Sequence, residues 1–441
     1  MPGAALEFET VVMKFGGTSV ADAERIKRAA HRIVQRAEEG SRVVAVLSAR
    51  GKNTDELVSL AHEVSERPHP REMDMLLSTG ERVSCALAAM VINDLGHEAI
   101  SLTGSQAGIV TDASHTKARI LEVRADRIRA ALDDGKIVLV AGFQGVSTSA
   151  DVTTLGRGGS DTTAAALAAA LGADVCEIFT DVAGVFSADP RIVPDARKLA
   201  VVTFEEMLEM SASGAGVLQL RSVEYARNYG VRIHCRSSFD DGPGTFVVDE
   251  QQTMERPLVT AVTHSTAEAR VTLTGLPDRP GIAGRVLSAL ADSNVNVDMI
   301  IQNEPISPDH RADMSVTVPR SDLPAARGAL EPLRDELGFG AIEADDGMGK
   351  VSIVGAGMKS HPGVAARTLT VLGDAGVNIE MISTSPIKIS CVIREVDVET
   401  AVRELHTAFE LGADAVRPED VAGDHRPVVR DSAVPSDGAA S

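Results

Sequence analysis

The chain has 441 residues, 44% of them hydrophobic, which is enough for two or three separate cores. Its net charge of −20 argues against nucleic acid or an anionic membrane surface as a general partner, and the absence of Trp with only 3% aromatics leaves no stacking platform for bases. Four cysteines (Cys85, Cys176, Cys235, Cys391) lie far apart without C-x-x-C spacing, which predicts reduced, packed thiols of a cytoplasmic protein and neither a disulfide framework nor a zinc site.

Taken in order, apolar strands alternate with helices. Thr10–Phe15 reads as a buried strand, followed by a turn at 16–19. Residues 22–38 have helical periodicity through Ile26, Ala29, Ala30, Ile33 and Val34. Residues 43–47 form a second strand, 55–64 a helix, and 73–95 one long helix carrying Glu81. Ile137–Ala141 and 175–179 are further strands. No apolar run is expected to reach membrane-spanning length, and MPGAALEFET lacks signal-peptide shape. This alternation predicts an α/β fold, a mainly parallel sheet with helices on both faces. Ser48, Gly142, Thr180 and Asp181 fall at strand C-termini, where such sheets bind ligands.

The stretch at 151–170, DVTTLGRGGSDTTAAALAAA, changes character in its middle. Gly156, Gly158 and Gly159 give backbone without Cβ, and Ser160-Asp161 then opens an Ala-rich helix. A helix N-terminus with unpaired N–H groups suits an anion, and Arg157 adds a guanidinium fork for a carboxylate or phosphate. Lys14-Phe15-Gly16-Gly17 lacks Walker A spacing, and fits either a phosphate cradle or a lysine snorkelling beside a tight turn. TDVAGVFSADPR at 180–191 again places Asp, Gly and Arg past a strand. With three such loops at strand ends, a nucleotide pocket is the better reading.

Near residue 240 the chain becomes turn-rich and charged, and beyond it repeats itself. VTLTGLPDRPGIAGRVLSALADSNVNVDMI at 271–300 matches VSIVGAGMKSHPGVAARTLTVLGDAGVNIEMI at 351–382. Each copy has a strand, a Pro-Gly turn, an amphipathic helix and a second strand, so paired modules are expected and a solenoid is not. The expected division is a catalytic domain at 1–250, modules at 251–345 and 346–416, and a disordered tail at 417–441 rich in Pro, Asp, Gly and Ser.

KFGGTSV at 14–20, TDEL at 54–57, GER at 80–82, GFQGV at 142–146, TTLGRGGSDTT at 153–163 and the 180–191 loop resemble, in that order, the aspartate kinases of the amino-acid-kinase fold. The two repeats resemble the paired ACT domains, βαββαβ modules, that follow the kinase domain of the bacterial single-function type. The resemblance implies ATP-dependent phosphorylation of the β-carboxylate of L-aspartate, opening the route to lysine, threonine and methionine, with ATP and Mg²⁺ as cofactors and no protein-built metal site. Lys14, Asp161 and Arg157 are implied to be catalytic. Thr54, Asp55, Glu81, Arg157, Gly158, Gly159 and Ser160 are implied to bind substrate, with Glu81 on its ammonium and Arg157 on its α-carboxylate. Lys14, Phe15, Gly16, Gly17, Ser48, Thr180, Asp181 and the run Phe186, Ser187, Ala188, Asp189, Pro190 and Arg191 are implied to hold the nucleotide. Effector amino acids, threonine and lysine, would meet Asp278, Gly281, Ile282, Ala283, Asn296, Asp298, Gln302, Asn378, Ile379 and Ser385. The ACT modules imply a homo-oligomer or a large/small subunit assembly, and Met254 is a candidate internal start for the small subunit.

The sequence departs from the family at four places. Phe186 replaces a tyrosine, Gly216 replaces a lysine near the ATP phosphates, and Glu304-Pro305 and Pro386 alter effector-pocket walls. The prolines predict partly relaxed feedback, with lysine most affected. A sister kinase acting on glutamate, N-acetylglutamate or UMP, and a catalytically weak amino-acid sensor, are the alternative readings.

Overall fold

The computed structural model describes residues 9–249, 258–302 and 310–412. Met254, Glu304-Pro305 and the 417–441 tail lie outside the described residues.

An eight-stranded sheet carries the first domain. At its centre Thr10–Phe15 pairs in parallel with Arg42–Leu47 on one side and Val175–Thr180 on the other. The order continues outward through Ile137–Ala141 and Ala99–Leu102 on the first side. On the second it runs through Ile233–Ser237, Thr245–Val248 and Val201–Thr203, with Thr245–Val248 antiparallel to Ile233–Ser237. The period of two divides the central strand. Val11, Met13 and Phe15 face the helix Ala23–Glu38, while Val12 belongs to the core under the helix Gly159–Leu171. Lys14 shares the Val12 face, and this alternation aims a cation at the start of that second helix. A four-stranded sheet of Ile120–Val123, Ile109–Thr111, Gln144–Ser147 and Val152–Thr154 forms a flap beside the strand C-termini.

Two expectations are corrected here. The predicted helix at 73–95 begins at Pro70 and is interrupted at Ser78, giving Pro70–Leu77 and Thr79–Asp94. The Ser78 carbonyl accepts from Gln144 Nε2 at 2.8 Å and its hydroxyl donates to Met75 O, which tightens the turn. The span Pro70–Asp94 is also long and apolar enough, by length and composition, to cross a membrane. Half of its apolar 18-residue window is buried, and the span carries the buried charges Asp74 and Glu81 inside the protein.

The repeats build a six-stranded antiparallel sheet, ordered Ile300–Gln302, Arg311–Pro319, Ala261–Pro277, Ile342–Val354, Lys388–Arg394 and Ile379–Ser385. Its two central strands are long and serve both modules. Arg270–Leu273 pairs with 342–345 over the first core, while Ala261–Ser265 pairs with 350–354 over the second. Residues 258–265, expected in the first module, therefore pack in the second, where Val259 and Val262 join Val351, Ile353 and Leu405. The first module is inserted into the second, and the sheet is continuous across both. Buried Lys350, 2.5 Å from Asp298 and 3.2 Å from Glu268, crosses between them.

Candidate functional site

Four loops converge at the C-terminal ends of the central strands. Gly16 N donates to Phe179 O at 3.2 Å, Ser48 N to Phe15 O at 3.1 Å, Gly51 N to Gly17 O at 2.9 Å, and Gly142 N to Leu47 O at 3.1 Å. These bonds bring Lys14–Gly17, the turn after Ser48, Gly142 and Thr180-Asp181 to one rim. Gly17 has to be glycine: a Cβ there would lie 2.9 Å from Ala49 O.

Lys14 Nζ lies 2.5 Å from Asp161 Oδ1, with both side chains about nine-tenths buried. Asp161 stands in the first turn of Gly159–Leu171, whose N-cap Gly158 is left-handed at φ 68°. A Cβ on Gly158 would strike the Gln219 side chain at 2.1 Å, so the glycine loop is packed closely against Gln219. Ser160 is buried beside Gly142. Arg157, at the crest of the loop, is exposed and makes no hydrogen bond or ion pair among the described residues.

Glu81 is the electrostatic counterpart. It is 3% exposed, and Gly80 lets its helix press against Ala49 and Asn53, where any Cβ would clash at 2.7 Å. Oε1 accepts from Ala49 N at 3.3 Å, while Oε2 has no partner among the described residues. Burial pushes its carboxyl up to about 7, only partly opposed by backbone hydrogen bonds and Arg82. Thr54 and Asp55 sit in the first turn of Asn53–Val64, next to this contact. The rim thus has an under-satisfied anion at Glu81, an unpartnered cation at Arg157, and the Lys14–Asp161 pair.

Residues 186–191 divide. Ser187, expected at the nucleotide, is fully buried elsewhere, since its hydroxyl lies 3.0 Å from His406 Nε2 and donates to Leu411 O at 2.9 Å. Ala188 lies in the second module's core and Phe186 packs against it. This apolar seam takes the three side chains away from the rim. Asp189, Pro190 and Arg191 stay on the surface, with Arg191 2.6 Å from Asp189. Gly216 is exposed, with open space where a side chain would go. Arg221 donates to Leu155 O and Ala118 O, so it stays with the glycine loop and does not replace a lysine at 216.

Among the effector residues, Gly281 is the left-handed N-cap of Ile282–Asp292, as Gly363 is of Val364–Asp374. Asp278 precedes this turn by three residues and its N–H donates to His310 O, and Ile282 and Ala283 lean on the first core. Asn296 and Gln302 are exposed. Asp298 is paired to Lys350, and Ser385 donates to Glu209 Oε1 of the first domain at 3.4 Å. Asn378 reaches Glu380, which is itself held by Arg270 at 2.8 Å, and Ile379 begins the edge strand.

Two networks have no counterpart in the sequence reading. Asp74 is fully buried and accepts from His115 Nδ1, Thr116 N and Thr154 Oγ1. Glu206 is buried and accepts from Thr203, Thr260 and Ala356, joining the helix Phe204–Ala212 to the segments flanking the six-stranded sheet. A signal for each was present: an aspartate inside the apolar run EMDMLL, and Thr203-x-x-Glu206 as a capping box.

Residues 9–237 match the amino acid kinase family, and 270–335 and 351–409 each match the ACT domain. The chain is 56% identical over 407 residues to an aspartokinase of Mycobacterium tuberculosis, covering 92% of this chain and 97% of that protein. It is 48% identical to an aspartate kinase of Pseudomonas putida, covering 93% and 99%. Among solved structures it resembles E. coli aspartokinase III in complex with aspartate and ADP, with 27% identity, a TM-score of 0.77, and coverage of 91% of this chain and 99% of that one. The same enzyme in complex with lysine and aspartate has a TM-score of 0.69.

Proposed function

The chain belongs to the aspartokinases, an amino acid kinase domain followed by two ACT domains, and from that premise we propose how its residues phosphorylate the β-carboxylate of L-aspartate with ATP. The observation that carries the assignment is the pairing of unmet charges across one rim. Glu81 Oε2 awaits a donor in a buried place, and Arg157 awaits an acceptor in an open one. A zwitterion answers both, with its ammonium on Glu81 and its α-carboxylate on Arg157. Holding both ends orients the side-chain carboxylate toward the phosphoryl donor. That carboxylate is already a nucleophile at neutral pH and needs no general base.

Lys14 provides the cation for the transferring phosphoryl, and Asp161 holds its ammonium in place at 2.5 Å. The uncapped N-terminus of Gly159–Leu171 adds N–H groups on the same side. Gly16, Gly17, Ser48, Thr180 and Asp181 line the nucleotide side, extended by Asp189 and Arg191. No group of three or more His, Cys, Asp or Glu side chains forms a metal cage among the described residues. Exposed Asp181 is the carboxylate this rim offers to an Mg²⁺ that arrives on the triphosphate. Such an ion neutralises charge on the transferred group.

Control by end-product amino acids goes with the ACT domains. Threonine-type binding is supported by the left-handed Gly281 turn with Asp278 beside it. For lysine, Pro386 is exposed in the turn between the last two strands, and Glu380 is tied to Arg270, so neither offers the ammonium a free acid. The sheet edges Ile300–Gln302 and Ile379–Ser385 carry exposed Ile300 and Ile382, which favours pairing with a second regulatory sheet. Four free, buried cysteines fit a reducing compartment, and the enzyme is assigned to the cytoplasm.

A coupled assay with MgATP and aspartate, glutamate, N-acetylglutamate or UMP tests the assignment, with lysine and threonine added singly and together. Turnover confined to aspartate is expected. Preference for another acceptor, or none, would remove it.

A further inference from the structure

Asp74 is fully buried but touches neither expected substrate end, and its contacts show what it holds. It lies on Pro70–Leu77, seven residues before Glu81, which follows on Thr79–Asp94 after the break at Ser78. Its carboxylate accepts from His115 Nδ1 at 2.7 Å, Thr116 N at 3.0 Å and Thr154 Oγ1 at 2.5 Å. Thr154 leads through Leu155 and Gly156 directly to Arg157. Thr116 O lies 3.1 Å from the Cβ position of Gly156, and Ala118 N donates to Thr154 O at 2.9 Å. The 115–118 turn is therefore the floor under the Arg157 loop.

That floor is strained. Thr116 has φ 69°, the left-handed region that a β-branched residue avoids. Asp74 accepts its N–H in that conformation. Arg221 ties Leu155 O and Ala118 O together from the other side, at 3.0 and 2.9 Å.

We propose that Asp74 is a positioning residue that sets the separation between Glu81 and Arg157, and with it the fit of the amino acid's ammonium and α-carboxylate. The inference rests on the zwitterion assignment above. Asp74 and Glu81 stand on successive helices joined at Ser78, whose N–H donates to Asp74 O at 3.0 Å, so a clamp at Asp74 fixes the start of the Glu81 helix relative to the loop bearing Arg157. Releasing the clamp lets Thr116 leave the left-handed region and shifts the loop, without touching Lys14 or the nucleotide rim.

The test is Asp74→Asn, which turns an amide N–H₂ toward groups that are themselves donors. A misplacement of about 1 Å in a positioning group costs up to about 100-fold, so the KM for aspartate should rise about 10- to 100-fold, with the KM for ATP moving less than about twofold. Adding Thr116→Gly, which adopts positive φ freely, should recover most of the loss. Thr154→Val removes a single donor and should shift the aspartate KM the same way by less, which keeps the test open if Asp74→Asn fails to fold. An equal rise in both KM values, or no recovery with Thr116→Gly, overturns the proposal. Wild-type enzyme is assayed first: without turnover of aspartate the functional assignment itself falls, whereas normal wild-type turnover with an unchanged aspartate KM in both Asp74→Asn and Thr154→Val sinks only the role of Asp74.

Discussion

Two buried glutamates, one on each side of the kinase domain, differ in a way that separates function from architecture. Glu206, on the seam with the regulatory sheet, accepts from Thr203 N and Oγ1, Thr260 Oγ1 and Ala356 N. Nearby Glu209 takes Lys388 at 2.8 Å and Ser385. Glu81, in the pocket, has one backbone donor and one bare oxygen, and its carboxyl is displaced to about 7, chiefly by burial. A buried acceptor left bare costs about 1–3 kcal/mol, which a ligand's donor would recover. The satisfied carboxylates join two domains. The unsatisfied one awaits a third party.

The largest effect should come from the centre of the pocket. Lys14→Met removes the cation we propose for the transferring phosphoryl and leaves Asp161 without its partner at 2.5 Å. By analogy with loss of one transition-state donor, kcat should fall about 10²–10³-fold. Rapid-quench turnover measures it, and a fall of less than tenfold would move Lys14 out of the reaction.

Arg157→Ala comes next. The guanidinium is exposed before binding, so the low end of the range for breaking a charged pair applies, about 2–3 kcal/mol or roughly 30- to 150-fold in kcat/KM for aspartate. Thermal stability should hold, because no contact is lost. An unchanged aspartate KM and kcat would take Arg157 out of the site.

Glu206→Ala attacks the other side of the comparison. It leaves Thr260 Oγ1 and Ala356 N buried without their acceptor, a cost of about 1–3 kcal/mol for each orphaned group. Melting and hydrogen exchange at the seam should show the loss, while uninhibited turnover changes much less. If turnover collapses at full stability, the seam belongs to the active site and the contrast fails.

The pH dependence sharpens it. Glu81 must be ionised to hold an ammonium, so kcat/KM for aspartate should drop about tenfold per unit below pH 7 and level off above. Stability of the unliganded protein runs the other way. A folded-state carboxyl raised from 4.5 to about 7 contributes fully below 4.5, and that contribution, at most about 3 kcal/mol, is lost as pH rises through 7. Glu81→Gln should flatten both profiles, and persistence of either would assign it to another group.

The smallest effect is expected from Gly216→Lys. Nothing lies within 4 Å of a Cβ there, so the side chain enters open space. A surface cation near phosphates is worth about 0.2–1 kcal/mol, a few-fold in the KM for ATP. No change would mean that residue 216 does not approach the nucleotide.

The residues themselves determined a good part of this protein. Apolar strands ending in Ser48, Gly142 and Thr180, and a glycine turn opening an Ala-rich helix, need only local rules, because each is an element and its own terminus. Lys14, Arg157 and Asp161 were singled out for the same reason, standing in short glycine or helix-start motifs, whereas Glu81 was singled out only through the family resemblance. The repeat also announced two modules. Only the tertiary structure showed that residues 258–265 complete the second module, since a strand's pattern says it is half-buried and not against which partner. It likewise turned Ser187 and Ala188 into the seam, gave Asp298 to Lys350, and closed Asp74 over the floor of the Arg157 loop. In each case the outcome depends on what lies opposite, often more than forty residues away in the chain, and a polar side chain's role is set by the partner that satisfies it or by the lack of one.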